Sequence, residues 1–285
     1  MSYNRPDALV ETDWLAQNLG SVKVLDGSWY LPAQKRDPKA EYAAGHIPGA
    51  QLFAIDTIAD LDTDLPHMLP GAAAFGRAVS LMGISNGDQI VVYDGAGLQS
   101  AARVWWTFRA FGHDKIAVLN GGFPKWKAEG RAVETTVQKP KPGTFLAAQR
   151  VGLVRGVGDV IDNVVTRREQ VLDARSRPRF EATEPEPRAG LRGGHIPGSA
   201  CLPYGDLLDP ANKTVLPVDQ LKAKFTAAGI DLKKPVVTTC GSGITASALA
   251  LGLHLAGAVS YAVYDGSWTE WGGRPDTPVE TGPAR

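Results

Sequence analysis

The chain repeats itself, and this limits what it can fold into. Gly45-His46-Ile47-Pro48-Gly49-Ala50 returns as Gly194-His195-Ile196-Pro197-Gly198-Ser199. Upstream, Val24-Leu25-Asp26 returns as Val171-Leu172-Asp173. Downstream, Asn120-Gly121-Gly122-Phe123-Pro124-Lys125-Trp126 is paralleled by Asp265-Gly266-Ser267-Trp268-Thr269-Glu270-Trp271. Three islands in the same order, at spacings that agree to within a few residues, mark a duplicated unit. Each copy has the size of one domain. A linker is expected from Gln138 to about Val157, because Lys139-Pro140-Lys141-Pro142-Gly143 cannot continue a helix and reads as extended chain. This divides the chain into domains 1–137 and 158–285.

Within each copy, short apolar runs alternate with amphipathic ones. Val22–Asp26, Ile90–Tyr93 and Ile116–Leu119 read as strands, and 72–82 and 100–111 as helices. In the second copy Gln170–Asp173, Val236–Thr239 and Tyr261–Tyr264 read as strands, and 218–228 and 245–256 as helices. The alternation predicts an α/β fold in which each domain is a mainly parallel sheet flanked by helices. Sites in such sheets lie at the carboxyl ends of the strands.

The end of one strand carries chemistry. Cys240 follows Val236–Thr239 and opens Cys240-Gly241-Ser242-Gly243-Ile244-Thr245-Ala246, with a helix beyond. Backbone N–H groups of a tight loop and a helix N-terminus converge there, and such a place favours an anion, hence a thiolate. Gly241 and Gly243 let the backbone curl around the sulfur.

Charge and cysteine usage narrow the function classes. The 30 basic and 30 acidic residues cancel, which gives no footprint for nucleic acid or an anionic membrane. Two cysteines are too few for a disulfide framework and suit a reducing compartment, so the expected location is the cytoplasm. The N-terminus lacks an apolar signal core. The uncharged run Gly241 to Tyr264 divides into a helix and a strand and is not read as a membrane span. His67, His113 and His254 show no ligand spacing, so no metal site is expected. Cys201 reads as a small buried hydrophobe. The tryptophans, Trp105-Trp106 and Trp268 among them, read as core or interdomain packing.

Taken together, the His-Ile-Pro-Gly turn in both halves, the Val-Leu-Asp strand ends and the cysteine loop resemble the rhodanese superfamily in its two-domain form. The resemblance covers essentially the whole chain. Its thiosulfate sulfurtransferases typically carry Cys-Arg-Lys-Gly-Val-Thr-Ala in the loop, and its 3-mercaptopyruvate sulfurtransferases Cys-Gly-Ser-Gly-Val-Thr-Ala. This chain has the second form, with Ile244 for valine. The resemblance implies sulfur transfer from 3-mercaptopyruvate through a Cys240 persulfide to a thioredoxin-like protein, a small thiol or cyanide. It implies no organic or metal cofactor.

Residue by residue, the resemblance puts Cys240 as nucleophile and Gly241, Gly243, Ile244 and Thr245 around the substrate. Ser242 replaces a lysine suited to a dianion and could relay a proton. Arg179 and Arg188, in a Pro-rich loop, would grip the donor carboxylate, since arginine's planar fork matches that group. A relay through Asp37, His46 and Ser242 is also implied. Against it stands His195, the repeat copy of His46, which favours a structural turn role for both. Aligning Val91-Val92 with Val236-Val237 puts Gly95 at the cysteine position, so the first domain lacks a nucleophile. A domain that packs on its own duplicate leaves no need for a homodimer, and a monomer is expected. A cysteine phosphatase would need an arginine six residues after the cysteine, where Ala246 stands. Thiosulfate sulfurtransferase is the nearer rival.

Overall fold

A computed structural model describes residues 6–284. The strands are β1 (Leu9–Val10), β2 (Lys23–Asp26), β3 (Gln51–Leu52), β4 (Ile90–Tyr93), β5 (Ile116–Leu119), β6 (Val154–Arg155), β7 (Gln170–Asp173), β8 (Ala200–Cys201), β9 (Val236–Thr239) and β10 (Tyr261–Tyr264). The helices are α1 (Thr12–Asn18), α2 (Pro38–Ala44), α3 (Ala72–Leu81), α4 (Ala101–Ala110), α5 (Gly122–Ala128), α6 (Val157–Thr166), α7 (Arg177–Glu181), α8 (Val218–Ala227), α9 (Ile244–Ala256) and α10 (Ser267–Trp271).

The strands form two five-stranded sheets, ordered β1-β5-β4-β2-β3 and β6-β10-β9-β7-β8, with the same topology. Every ladder is parallel. The central strands β4 and β9 are apolar or β-branched throughout and wholly buried, as strands covered by helices on both faces must be.

The expected long strands and helices are present within a residue or so at their ends. The two-residue edge strands β1, β3, β6 and β8 escape a periodicity reading, being too short to show a period. One of them falls inside the expected linker. β6 pairs with β10, so the second sheet begins at Val154. The chain before it is also anchored: Phe145 is buried and its N–H donates to Ser80 Oγ at 3.0 Å.

The domains meet through α4 and α9. Helix α9 is apolar nearly all round and buried except at Thr245, as a helix packed on both sides requires. Across this interface Trp105 lies 5.3 Å from the His254 ring and 6.4 Å from Tyr261. A single hydrophobic cluster runs through both halves, from Phe75 and Trp106 to Leu249 and Val263.

Candidate active site

Cys240 is the first residue after β9. The end of β9 is tied to α10: Cys240 N–H donates to Ser267 Oγ at 3.2 Å, and Cys240 O accepts from Trp268 N–H at 2.9 Å. Gly241 O accepts from Thr269 N–H and from Thr269 Oγ1. With these carbonyls held outward, the loop turns through Gly243, which takes the left-handed φ of 79° and starts α9 without a side-chain cap. The first-turn N–H groups of a helix lack partners within it.

A cavity of about 380 Å³ opens over Cys240. Its lining includes Gly241, Ser242, Ile244, Thr245, Arg179 and Arg188, so the structure brings these six expected residues together with the cysteine. A methyl group on Gly241 would sit 3.1 Å from Arg179 Nη2 and 3.9 Å from Arg188 Nη1. Two guanidiniums thus converge beside the sulfur. Burial pulls the Arg188 guanidinium below its ordinary pKa, opposed by the charge of Cys240.

Asp37 and His46 do not line this cavity, and each is held by partners of its own. Asp37 caps α2, accepting from Lys39 and Ala40 N–H at 2.8 and 3.2 Å. His46 is fully buried, stacked on Tyr42 at 4.1 Å, with Nδ1 2.8 Å from Tyr42 O. His195 does the same on Phe180, at 3.7 Å, with Nδ1 2.9 Å from Phe180 O. Each histidine also makes a two-way backbone bridge, His46 with Glu134 and His195 with Glu280. The glutamate then reaches the turn glycine, Gly49 at 2.6 Å and Gly198 at 3.0 Å. The repeated motif builds a turn, and builds it twice.

A different histidine from the first domain approaches the site. His67 Nε2 lies 3.5 Å from Arg188 Nη2, and its Nδ1 is 2.6 Å from Asp56 Oδ1. Trp29, which lines the cavity, donates Nε1–H to Asp56 Oδ2 at 3.0 Å and meets the His67 ring edge-on at 4.6 Å. Burial lowers the His67 pKa, and the positive Arg103 and Arg188 act the same way against the pull of Asp56. A neutral ring can accept at Nε2 from Arg188, with the Asp56 carboxylate close beside Nδ1. Unlike His46, His67 has no counterpart at the matching place in the second half, and nothing local in the sequence marks it.

Arg103 joins the domains at the site. Its Nη1 donates to Asp265 Oδ1 at 2.5 Å and reaches Gly243 O at 3.5 Å, while Nη2 donates to His67 O. A methyl on Gly243 would lie 2.7 Å from that Nη1.

The ladder register also corrects the alignment of the two halves. Leu25 pairs with Val92 and Leu172 with Thr238; Asp26 pairs with Tyr93 and Asp173 with Thr239. The residue matching Cys240 is therefore Asp94, not Gly95. The Asp94 carboxylate accepts N–H from Ala96, Gln99, Ser100 and Ala101 at 2.7–2.9 Å. The first domain fills its loop with a fixed anion where the second places a thiol.

The rhodanese-like domain model matches residues 11–129 and 158–274. The chain belongs to the rhodanese family. Thiosulfate/3-mercaptopyruvate sulfurtransferase 1, mitochondrial, of Arabidopsis thaliana is 44% identical over 98% of this chain and 80% of its own length. Human 3-mercaptopyruvate sulfurtransferase is 39% identical, covering 96% of each chain. The crystal structure of SseA from Escherichia coli, a 3-mercaptopyruvate sulfotransferase, superposes with a TM-score of 0.84 at 34% identity, over 94% of this chain and 99% of that one. Both donors appear in those names, so the choice between them rests on the rhodanese loop and the arginines beside it. Among the described residues, no helix is long and apolar enough to cross a membrane.

Proposed function

We propose that this rhodanese-family protein is a sulfurtransferase that takes sulfur from 3-mercaptopyruvate onto Cys240 and passes it to a thiol or to cyanide, releasing pyruvate. The observation that carries the reading is the convergence of Arg179 and Arg188 on Gly241, beside a cysteine loop with no lysine or arginine of its own. The cationic groups stand to one side of the sulfur. They suit a donor whose carboxylate lies a few bonds from its thiol.

The arginines hold the carboxylate, and the Cys240 thiolate attacks the donor sulfur. An S–S bond forms and the C–S bond breaks. Its electron pair leaves on carbon as the enolate of pyruvate, which takes up the proton the donor thiol brought, with Ser242 placed to pass it on. Cys240 is left as a persulfide whose outer sulfur lies in the N–H cradle of residues 241–246. An acceptor thiolate then attacks that outer sulfur and restores the Cys240 thiolate, completing a double displacement. A dithiol protein would finish by closing its own disulfide and releasing hydrosulfide. Asp56 and His67, in place of the relay first expected of Asp37 and His46, position Arg188. The two free cysteines suit a reducing compartment such as the cytoplasm, and the α4–α9 contact suits a monomer.

The test is a steady-state comparison of 3-mercaptopyruvate and thiosulfate, with Cys240→Ser as the blank. A large preference for mercaptopyruvate, read as pyruvate release, is expected. A preference for thiosulfate would make the rival reading correct. Turnover surviving in Cys240→Ser would remove the persulfide mechanism.

A further inference from the structure

Three guanidiniums stand on the donor side of Cys240, and they are not equally free. Arg175 is saturated: it bonds both oxygens of Asp173, donates to Gly194 O at 2.7 Å, and donates Nη1–H to Glu186 Oε1 at 2.6 Å. It also lies on the Trp268 ring at 4.2 Å. Arg179 shares that same glutamate, with Nη2 2.5 Å from Glu186 Oε2 and Nε 3.4 Å from Oε1. Arg188 pairs with no carboxylate among the described residues and meets the neutral ring of His67. The Glu186 side chain is only 2% exposed, so its charge is little screened. It is a buried anion fixed between two cations, one of which lines the substrate cavity.

We propose that Glu186 sets the donor preference of the site by removing one unit of positive charge from the cavity wall, tuning it to a monoanion. The inference rests on the functional reading above. Arg175 is already balanced by Asp173, so Glu186 offsets the charge of Arg179 and Arg188 is left as the one uncompensated cation on the wall. A monocarboxylate with a neutral thiol matches that sum. A dianion such as thiosulfate needs a second uncompensated cation, which Glu186 denies it. The same carboxylate fixes the direction of Arg179, so Glu186 is a positioning residue as well as a charge-setting one.

Glu186→Gln keeps the shape and one acceptor but removes the charge. Glu186→Asp keeps the charge on a shorter arm. In Glu186→Gln the ratio of kcat/KM for thiosulfate to that for 3-mercaptopyruvate should rise about tenfold, the order expected for one extra unit of charge acting at the effective dielectric of a protein interior. Glu186→Asp should leave the ratio near the wild-type value even if both activities fall. A purely structural role would lower both donors together in Glu186→Gln and leave the ratio unchanged, and that result overturns the proposal. A second measurement uses the wild-type protein alone. Pyruvate should protect Cys240 from alkylation at lower concentration than sulfate does; the reverse order also overturns it. If wild-type protein fails to turn over 3-mercaptopyruvate at all, the functional reading has failed, and this is known before any Glu186 variant is made.

Discussion

Replacing Arg103 with methionine should damage stability and activity together, because one buried side chain serves both. Its guanidinium comes from the first domain and is bonded to the Asp265 carboxylate, to Gly243 O and to His67 O. It also lies on Trp106 at 4.6 Å. Methionine would fill much of the volume and keep part of the ring contact. It would leave the Asp265 carboxylate, only 4% exposed, with the Leu69 N–H at 2.8 Å as its remaining bond. Breaking a buried ion pair from one side costs about 3–5 kcal/mol, mostly as the penalty of the abandoned charge. Against a total stability of roughly 5–15 kcal/mol, this is a large fraction.

Urea denaturation followed by tryptophan fluorescence measures the loss, with the midpoint falling and the slope unchanged. The pair Arg103→Met with Asp265→Asn supplies the control. Removing both charges should recover most of the lost stability, since the unpaired carboxylate is gone. Activity should stay low in the double variant, because neither side chain then ties Gly243 to the His67 segment. An Arg103→Met cost below about 1 kcal/mol, or a double variant no more stable than the single, would refute the account of this pair.

Three further outcomes follow from the geometry. Iodoacetamide should label Cys240 and spare Cys201, whose thiol is pushed up to about 12 by burial and by Asp173; mass spectrometry of the modified peptides decides. His46→Gln and His195→Gln should each cost about 1–3 kcal/mol, as losses of buried hydrogen-bonded groups do, while kcat/KM per folded molecule stays near wild type. A loss of several orders of magnitude in His46→Gln alone would favour the relay over the turn role. Burial holds His67 and His113 below the ordinary 6.5, so the unfolded chain binds protons that the folded one refuses. Stability should therefore fall as pH drops from about 6.5 towards 5, and His67→Asn should flatten that slope, measured as the urea midpoint at each pH.

The central strands and the long helices were legible because their signal is local. Ile90–Tyr93 and Val236–Thr239 are unbroken apolar or β-branched runs, and nothing else in the chain competes to explain them. The cysteine loop and the two arginines were legible through the family resemblance. Asp56, His67, Arg103 and Glu186 were not, because each acts through contacts that the fold alone creates. His67 meets Arg188 from the other domain, and Arg103 meets Asp265 across the same divide. The resemblance pointed at His46, while the repeat argued for a turn role, since both halves keep that histidine in the same turn. The residues that differ between the halves carry the asymmetry of function.

That asymmetry is concentrated at one position. The two sheets share their strand order, and both central strands end in a loop at a helix N-terminus. In the first domain the loop closes on Asp94, which satisfies the N–H groups of Ala96, Gln99, Ser100 and Ala101 permanently. A helix terminus neutralised in this way cannot receive a substrate anion. In the second domain the same place holds Cys240, at the head of the loop that opens α9, where a helix N-terminus favours an anion. The first domain keeps the same fold and lends residues to the surroundings of Cys240. It delivers Trp29 to the cavity wall, His67 to Arg188 and Arg103 to Gly243. None of the three belongs to the second domain, so the surroundings of Cys240 depend on both halves of the chain.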